Sequence, residues 1–233
     1  MFQKEKIYIA GPECFYTGGY DMLAAMRAES IAKGFGVTLP NDHPLDMENP
    51  DLRKRADSIF ADLKAIMLDT TVVIADLEAY RGSEPDSGTI YELGMAYAKG
   101  ARCYGYTRDK RPLVWKDQKY TLKEGKVYDE HGKEAPYKDL PFSPCIIAST
   151  KIAEGDYGDC LKMLMTDIEE EKKYKGLRGY SVDYTAAKTY KSDRPVVYLA
   201  GPERYDKDAK EIYKKRKELC ASYGLQAFTP ADW

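Results

Sequence analysis

The chain has 233 residues, 36 Lys and Arg against 38 Asp and Glu, a formal net charge of −2 and 43% hydrophobic residues. That length suits one domain of ordinary size plus an extension, and the hydrophobic share is enough to bury a core. Near-neutral charge argues against a generic nucleic-acid binder, no run approaches a membrane span, and Met-Phe-Gln-Lys-Glu-Lys lacks the apolar centre of a signal peptide, so a soluble cytoplasmic protein is expected.

In chain order, apolar periodicity predicts a strand over residues 7–10, a helix over about 21–33, a strand near 37–39 and a helix over about 51–68. The β-branched run Thr71-Val72-Val73-Ile74-Ala75 follows as a strand buried on both faces, and the polar segment from Asp76 to Asp86 leaves its carboxyl end as a loop. Ser87 is the expected N-cap of a helix over about 88–99, whose core stripe is Ile90, Leu93 and Tyr97. A strand over 101–106 comes next. Residues 110–139 interrupt the alternation, with a hairpin expected over 119–129 around Glu124-Gly125, serving as a lid or a surface excursion. A last helix over about 157–174 packs on the sheet. The pattern specifies an α/β fold: a parallel-sheet, flavodoxin/Rossmann-like three-layer sandwich with a hairpin insert.

The candidate chemistry is carboxylate chemistry. Five scattered cysteines (Cys14, Cys103, Cys145, Cys160 and Cys220) give neither a zinc spacing nor a disulfide framework. His43 and His131 leave little for a metal site or a serine triad, and neither a phosphate-binding loop nor a full dinucleotide fingerprint occurs, so no metal or cofactor is expected. In Glu84-Pro85-Asp86-Ser87-Gly88-Thr89-Ile90-Tyr91-Glu92-Leu93-Gly94, two carboxylates stand six residues apart across a turn that opens a helix. The helical neighbours of Glu92 are Gly88, Thr89, Met95 and Ala96, none of them cationic, and the small ones leave room for a carbon centre to approach. A surface glutamate is the plain alternative to a nucleophile. On the preceding helix Ile59, Leu63 and Ile66 mark a buried stripe with Asp62 at its margin. Its helical neighbours are also free of cations, so a desolvated proton donor is one reading, and an aspartate in solvent beside Lys64 the other.

Five segments carry a family resemblance: Lys6-Ile7-Tyr8-Ile9-Ala10-Gly11-Pro12, Ile59-Phe60-Ala61-Asp62-Leu63, Val72 to Asp76, Asp86-Ser87-Gly88-Thr89 with Tyr91-Glu92-Leu93-Gly94, and Tyr104-Gly105-Tyr106-Thr107-Arg108-Asp109. In this order and spacing, over about residues 6–170, the chain resembles nucleoside 2-deoxyribosyltransferases. The resemblance implies retaining N-glycosyl transfer between nucleobases by double displacement, with Glu92 forming a covalent ester to 2-deoxyribose. It implies that Asp86 binds sugar hydroxyls, that Asp62 holds the base and passes it a proton, and that Tyr8 orients Glu92. Ala10, Gly11 and Pro12 form a turn over the substrate, with Asp76, Ser87 and Gly88 beside it. An ordinary strand tyrosine and a plain strand-to-helix turn explain Tyr8 and that turn equally on the residues alone. Nucleosides and nucleobases are the implied partners, within a homo-oligomer. One departure stands out: after Leu140-Pro141 the chain has Phe142-Ser143-Pro144-Cys145, so Ser143 replaces the asparagine of the resembled loop and offers a shorter reach to the sugar or nucleophile. Hydrolysis of a 2-deoxynucleoside 5-monophosphate, with Ser87-Gly88-Thr89 receiving the phosphate, is the rival activity. A nucleoside-binding module without turnover is the non-enzymatic one.

Beyond a linker over residues 176–194, Val197-Tyr198-Leu199-Ala200-Gly201-Pro202-Glu203 copies Ile7-Tyr8-Ile9-Ala10-Gly11-Pro12-Glu13 at an offset of 190 residues, and Pro230 with Asp232 repeats Pro40 with Asp42. The expected division is therefore a catalytic domain over 1–175, the linker, and an incomplete C-terminal β-α-β repeat over 195–233 that holds no counterpart of Asp62, Asp86 or Glu92. The segment reads either as the leading part of a second copy in a longer tandem protein or as a docking element; a lone β-α-β unit buries little apolar surface, so it is expected to pack on the first domain or on a partner chain, a poorly ordered tail being the plain alternative.

Overall fold

A computed structural model describes residues 2–43, 45–116, 119–135, 137–174 and 193–232. The chain divides into two compact units, Met1–Leu113 with Leu140–Val182, and Val114–Asp139 with Asp183–Trp233. Of the expected linker, residues 176–192 lie outside the described residues.

The first unit alternates strands and helices: β1 (Lys6–Ala10), α1 (Gly19–Ala32), β2 (Gly36–Thr38), α2 (Leu52–Asp69), β3 (Val72–Asp76), α3 (Ser87–Ala98), β4 (Arg102–Thr107), α4 (Pro144–Ser149), β7 (Lys151–Glu154) and α5 (Tyr157–Tyr174). Its sheet runs β2-β1-β3-β4-β7, every neighbouring pair parallel. This is the flavodoxin-like strand order, and its topological switch point lies at the carboxyl ends of β1 and β3. Alternation along the strands divides the core into two layers. Ile7, Ile9, Val72, Ile74, Tyr104 and Tyr106 pack against Leu23 of α1 and Leu161 and Leu164 of α5. Tyr8, Ala10, Val73, Ala75 and Cys103 face the other way, onto Ile66 and Met67 of α2 and Leu93 and Ala96 of α3. Tyr8 and Glu92 thus share the α2/α3 side of the sheet.

Three expectations need correction. The fifth strand, β7, and the short α4 before it lie where no element was expected. An edge strand buries one flank, and Lys151-Ile152-Ala153-Glu154 offers too few apolar residues to stand out. The N-cap of α3 is Asp86, whose side chain accepts from Thr89 N, and Ser87 is already the first helical residue. Ile59 is 42% exposed, so the buried edge of α2 begins at Leu63 and is completed by Ile66 and Met67. The carboxyl end of α2 is closed from α3, where Lys99 Nζ donates to the carbonyls of Met67, Leu68 and Thr70 and satisfies groups that the helix leaves open.

α1 begins against the turn that follows β1. A Cβ on Gly19 would lie 1.6 Å from the carbonyl oxygen of Glu13 and 2.6 Å from its carbonyl carbon, both backbone atoms that have little room to move. Gly19→Ala is expected to cost about 3 kcal/mol. At roughly 2–4 °C per kcal/mol for a protein of this size, thermal denaturation should report a fall of roughly 6–12 °C.

In the second unit, β5 (Thr121–Lys123) and β6 (Lys126–Tyr128) form an antiparallel hairpin. Its two-residue turn places Glu124 at φ 51° and Gly125 at φ 77°, the left-handed pair that matches strand twist. β8 (Val196–Tyr198), α6 (Ala209–Ser222) and β9 (Gln226–Phe228) make a single β-α-β with a two-stranded parallel sheet. Within this unit Lys133 Nζ meets Asp206 Oδ1 at 2.8 Å. No helix among the described residues is long and apolar enough to cross a membrane.

Candidate active site

The carboxyl ends of β1 and β3 gather acids with few cations. Tyr8 is buried in the middle of β1, and its hydroxyl donates to Glu92 Oε1 at 2.7 Å across 84 residues of sequence. Glu92 stands on the second turn of α3, just beyond the buried Thr89 and beside Leu93, so the helix's core face fixes where the carboxylate points. Removal from bulk water pushes its carboxyl up to about 7, helped by the charges of Asp86 and Glu13 and opposed by the Tyr8 hydrogen bond. A carboxylate with this environment is nucleophilic once ionised and is not quenched by a cation.

Asp86 closes the start of the same helix, its Oδ2 accepting from Thr89 N at 3.0 Å and from Thr89 Oγ1 at 3.3 Å. Ser87 and Gly88 follow it, both exposed. Asp76 ends β3, and Glu78 N donates to its Oδ1 at 2.7 Å. Burial carries the Asp76 carboxyl to about 7, with the charges of Glu13 and Glu78 adding to the effect. Ala10 and Pro12 are buried, and Gly11 between them is extended, so its value lies in close approach and not in a special conformation: a Cβ there would sit 2.0 Å from Glu13 Oε2 and 3.0 Å from Asp76 Cβ.

Asp62 has a partner that its helix does not supply. His43, in the segment between β2 and α2, hydrogen-bonds Asp62 Oδ1 through Nδ1, so the expected cation-free carboxylate is wrong whenever that imidazole is protonated. The pairing suits a group that exchanges a proton with a base, because a histidine neighbour can share it. Ser143 begins α4 without a side-chain cap bond, while its carbonyl accepts from Ile146 N at 3.0 Å. Neighbouring Phe142 is buried in the same layer as Tyr8, which puts this segment on the α2/α3 side.

Several neighbours escaped the sequence reading. Glu13 figured only as the last letter of a repeated motif, yet it is fully buried beside Asp76. Cys14 is half-buried near Glu92, and its thiol is pushed up by burial first and by that charge second. An aromatic lip forms where Phe15 and Tyr80 stack with centroids 6.0 Å apart and the Arg81 guanidinium lies 4.9 Å from the Tyr80 ring centre. The clue available in the sequence was a Tyr-Arg pair in a loop leaving the carboxyl end of β3.

Compared with known proteins, residues 7–158 match the family model described as nucleoside 2-deoxyribosyltransferase. No curated protein matches. Among solved structures, the chain is similar to a 2-desoxiribosyltransferase from Leishmania mexicana, at 24% identity and a TM-score of 0.52, over 69% of this chain and 97% of that one. A conserved protein from Enterococcus faecalis V583 matches at 21% identity and a TM-score of 0.43, over 70% and 98% of the respective chains. At these identities the likeness concerns the fold.

Proposed function

Because the chain belongs to the nucleoside 2-deoxyribosyltransferase family, we propose that it transfers 2-deoxyribose between nucleobases through a Glu92 ester. Glu92 Oε1 is engaged by Tyr8, so Oε2 attacks C1′ of a bound 2-deoxynucleoside as the C1′–N bond breaks. The leaving base takes its proton from Asp62, which His43 holds in place. A second base then attacks C1′ from the face opposite the ester, the ester bond breaks to restore the Glu92 carboxylate, and the N–H proton lost by the incoming base returns to Asp62. Two inversions give net retention. Anions around C1′ favour the cationic character that develops there, and Asp86 and Asp76 hold the sugar with Ala10, Gly11, Pro12, Ser87 and Gly88 around it. Ser143 stands near the sugar with a shorter reach than asparagine.

The observation that carries this reading is the 2.7 Å bond from Tyr8 to a carboxylate that has no salt-bridge partner among the described residues, at the switch point of the sheet. Neutral nucleosides are favoured over monophosphates, because the Asp86 carboxylate that caps Thr89 at this helix start would repel a phosphate there. The same proposal makes residues 1–175 the catalytic domain and 195–233 a repeat without catalytic acids. It places the protein in the cytoplasm as a homo-oligomer that needs no cofactor.

Deoxyinosine or deoxycytidine incubated with a different free base should yield the exchanged nucleoside, and intact-protein mass after mixing with substrate should show one deoxyribosyl adduct, located on Glu92 by digestion. Sugar phosphate released from monophosphates, without base exchange, would replace this reading by hydrolysis. Nucleoside binding that is unaffected by Glu92→Ala, in a chain with no turnover, would replace it by a binding module.

A further inference from the structure

Glu13 is a glutamate with no exposure and, among the described residues, no cation partner. Tyr106 Oη donates to its Oε1 at 3.0 Å, while Oε2 has no hydrogen-bond partner among the described residues. Oε2 packs over Gly11 on the side of the turn where Asp76 stands. The groups around it are Tyr106 from β4, Asp76 from β3, Met26 and Glu29 from α1, and Asp156 and Tyr157 at the start of α5, bordering a cavity of about 520 Å³. The two cations on that cavity are already engaged, Arg108 by Glu78 at 3.7 Å and Lys162 by Asp159 at 3.1 Å. Two buried carboxyls side by side with no cation are stable when one proton lies between them.

The chain contains its own control. Glu203 occupies the corresponding place in the repeat, and a Cβ on Gly201 would again lie 2.0 Å from its Oε2. There, however, Arg216 donates Nη2 to Glu203 Oε1 at 2.6 Å. The residue at the equivalent place in the first copy is Met26. Glu203 is accordingly held below the usual carboxylate range by its backbone hydrogen bond and Arg216, while burial pushes Glu13 above it. The same turn is thus built twice, once with an ionised, arginine-bound glutamate and once, next to the acids of the candidate active site, with that cation withdrawn.

We propose that Glu13 is a positioning residue that shares one proton with Asp76, and that the resulting hydrogen bond fixes Asp76 and the turn at Gly11 against the sugar. This rests on the reading of Asp76 and that turn as substrate contacts. An ionised Glu13 would repel Asp76 and add a charge beside Glu92, so loss of the shared proton should slow the reaction on the alkaline side.

Three variants of the full chain test it by kcat, KM and their pH profiles in base exchange. Glu13→Gln keeps a donor that cannot ionise, and should retain most of the rate while losing the alkaline limb. Glu13→Leu removes the donor, and Met26→Arg recreates the ion pair of the repeat. Each should lower kcat/KM roughly 10- to 100-fold at neutral pH through misplacement. Equal losses in Glu13→Gln and Glu13→Leu, or a wild-type alkaline limb in Glu13→Gln, would overturn the proposal. A second reading is independent of turnover. A carboxyl pair raised in the folded state stabilises it fully below the ordinary carboxylate range and loses that effect as pH rises through about 7. The thermal midpoint of the wild type should therefore fall over that window, and the fall should be smaller in Glu13→Gln, where the buried Asp76 alone still contributes. An unchanged fall would refute the shared proton even if the chain proved to have no exchange activity, an outcome that would separately refute the proposed function.

Discussion

Glu92→Gln is expected to abolish base exchange, lowering kcat on the order of 10⁴-fold or more, because the step lost is formation of the covalent ester and no other carboxylate receives the Tyr8 hydrogen bond. The amide is nearly isosteric, so circular dichroism should be unchanged and the adduct mass should vanish. In the wild type only the carboxylate attacks. With its carboxyl held up to about 7, Glu92 sets the acidic limb of the rate profile: at pH 5 only about 1% of the groups would be ionised, and the rate should climb from there toward neutral pH. The sign for stability is opposite. A carboxyl raised in the folded state helps folding while it stays protonated, and this contribution disappears as pH rises from the ordinary carboxylate range through about 7. Glu92→Gln should therefore unfold at a higher temperature than the wild type at pH 8 and lose that advantage at pH 5. Activity that survives the substitution would remove Glu92 from the mechanism.

Tyr8→Phe should produce the second-largest effect. A hydrogen bond to a charged group contributes about 1.5–3 kcal/mol, equivalent to roughly 10- to 100-fold in rate if it holds Glu92 in its attacking position. Its pH dependence identifies the cause. The Tyr8 hydroxyl lowers the Glu92 carboxyl, so its removal leaves burial and the like charge of Asp86 to raise that group further. The acidic limb of the rate profile should move to higher pH, making the deficit larger at pH 6 than at pH 9. A uniform loss at every pH would mean that Tyr8 supports the fold and not the ionisation of Glu92.

What the residue pattern revealed, and what it concealed, follows from the range of the forces involved. β1, β3 and β4 were legible because strands buried on two faces write their apolar runs directly into the sequence, and the Glu124-Gly125 turn because its backbone conformation restricts residue choice. Tyr8 and Glu92 came together through family resemblance, since nothing local joins residues 84 apart. β7 was missed because an edge strand demands little of its side chains, and Asp86 lost the N-cap to Ser87 because the two adjacent residue types cap almost equally well. Inspection of helical neighbours could not find His43 beside Asp62, because that partner arrives from a different segment. Glu13 was concealed for the same reason: its character depends on Met26 standing where the repeat has Arg216, a comparison that gains meaning only when both turns are seen in space.

The second β-α-β also bears on the order in which the first unit assembles. β1 pairs with β2 on one flank and with β3 on the other, and Tyr8 retains only 1% of its surface in solvent, whereas its counterpart Tyr198, on a strand paired with β9 alone, retains 58%. The second copy therefore displays what this β-α-β does with its strand tyrosine when no third strand pairs beside it: the ring stays in water. Burial of that ring waits for a partner 65 residues downstream in the register, so the hydroxyl that meets Glu92 is positioned by a long-range pairing, made by a strand with no polar side chain before Asp76.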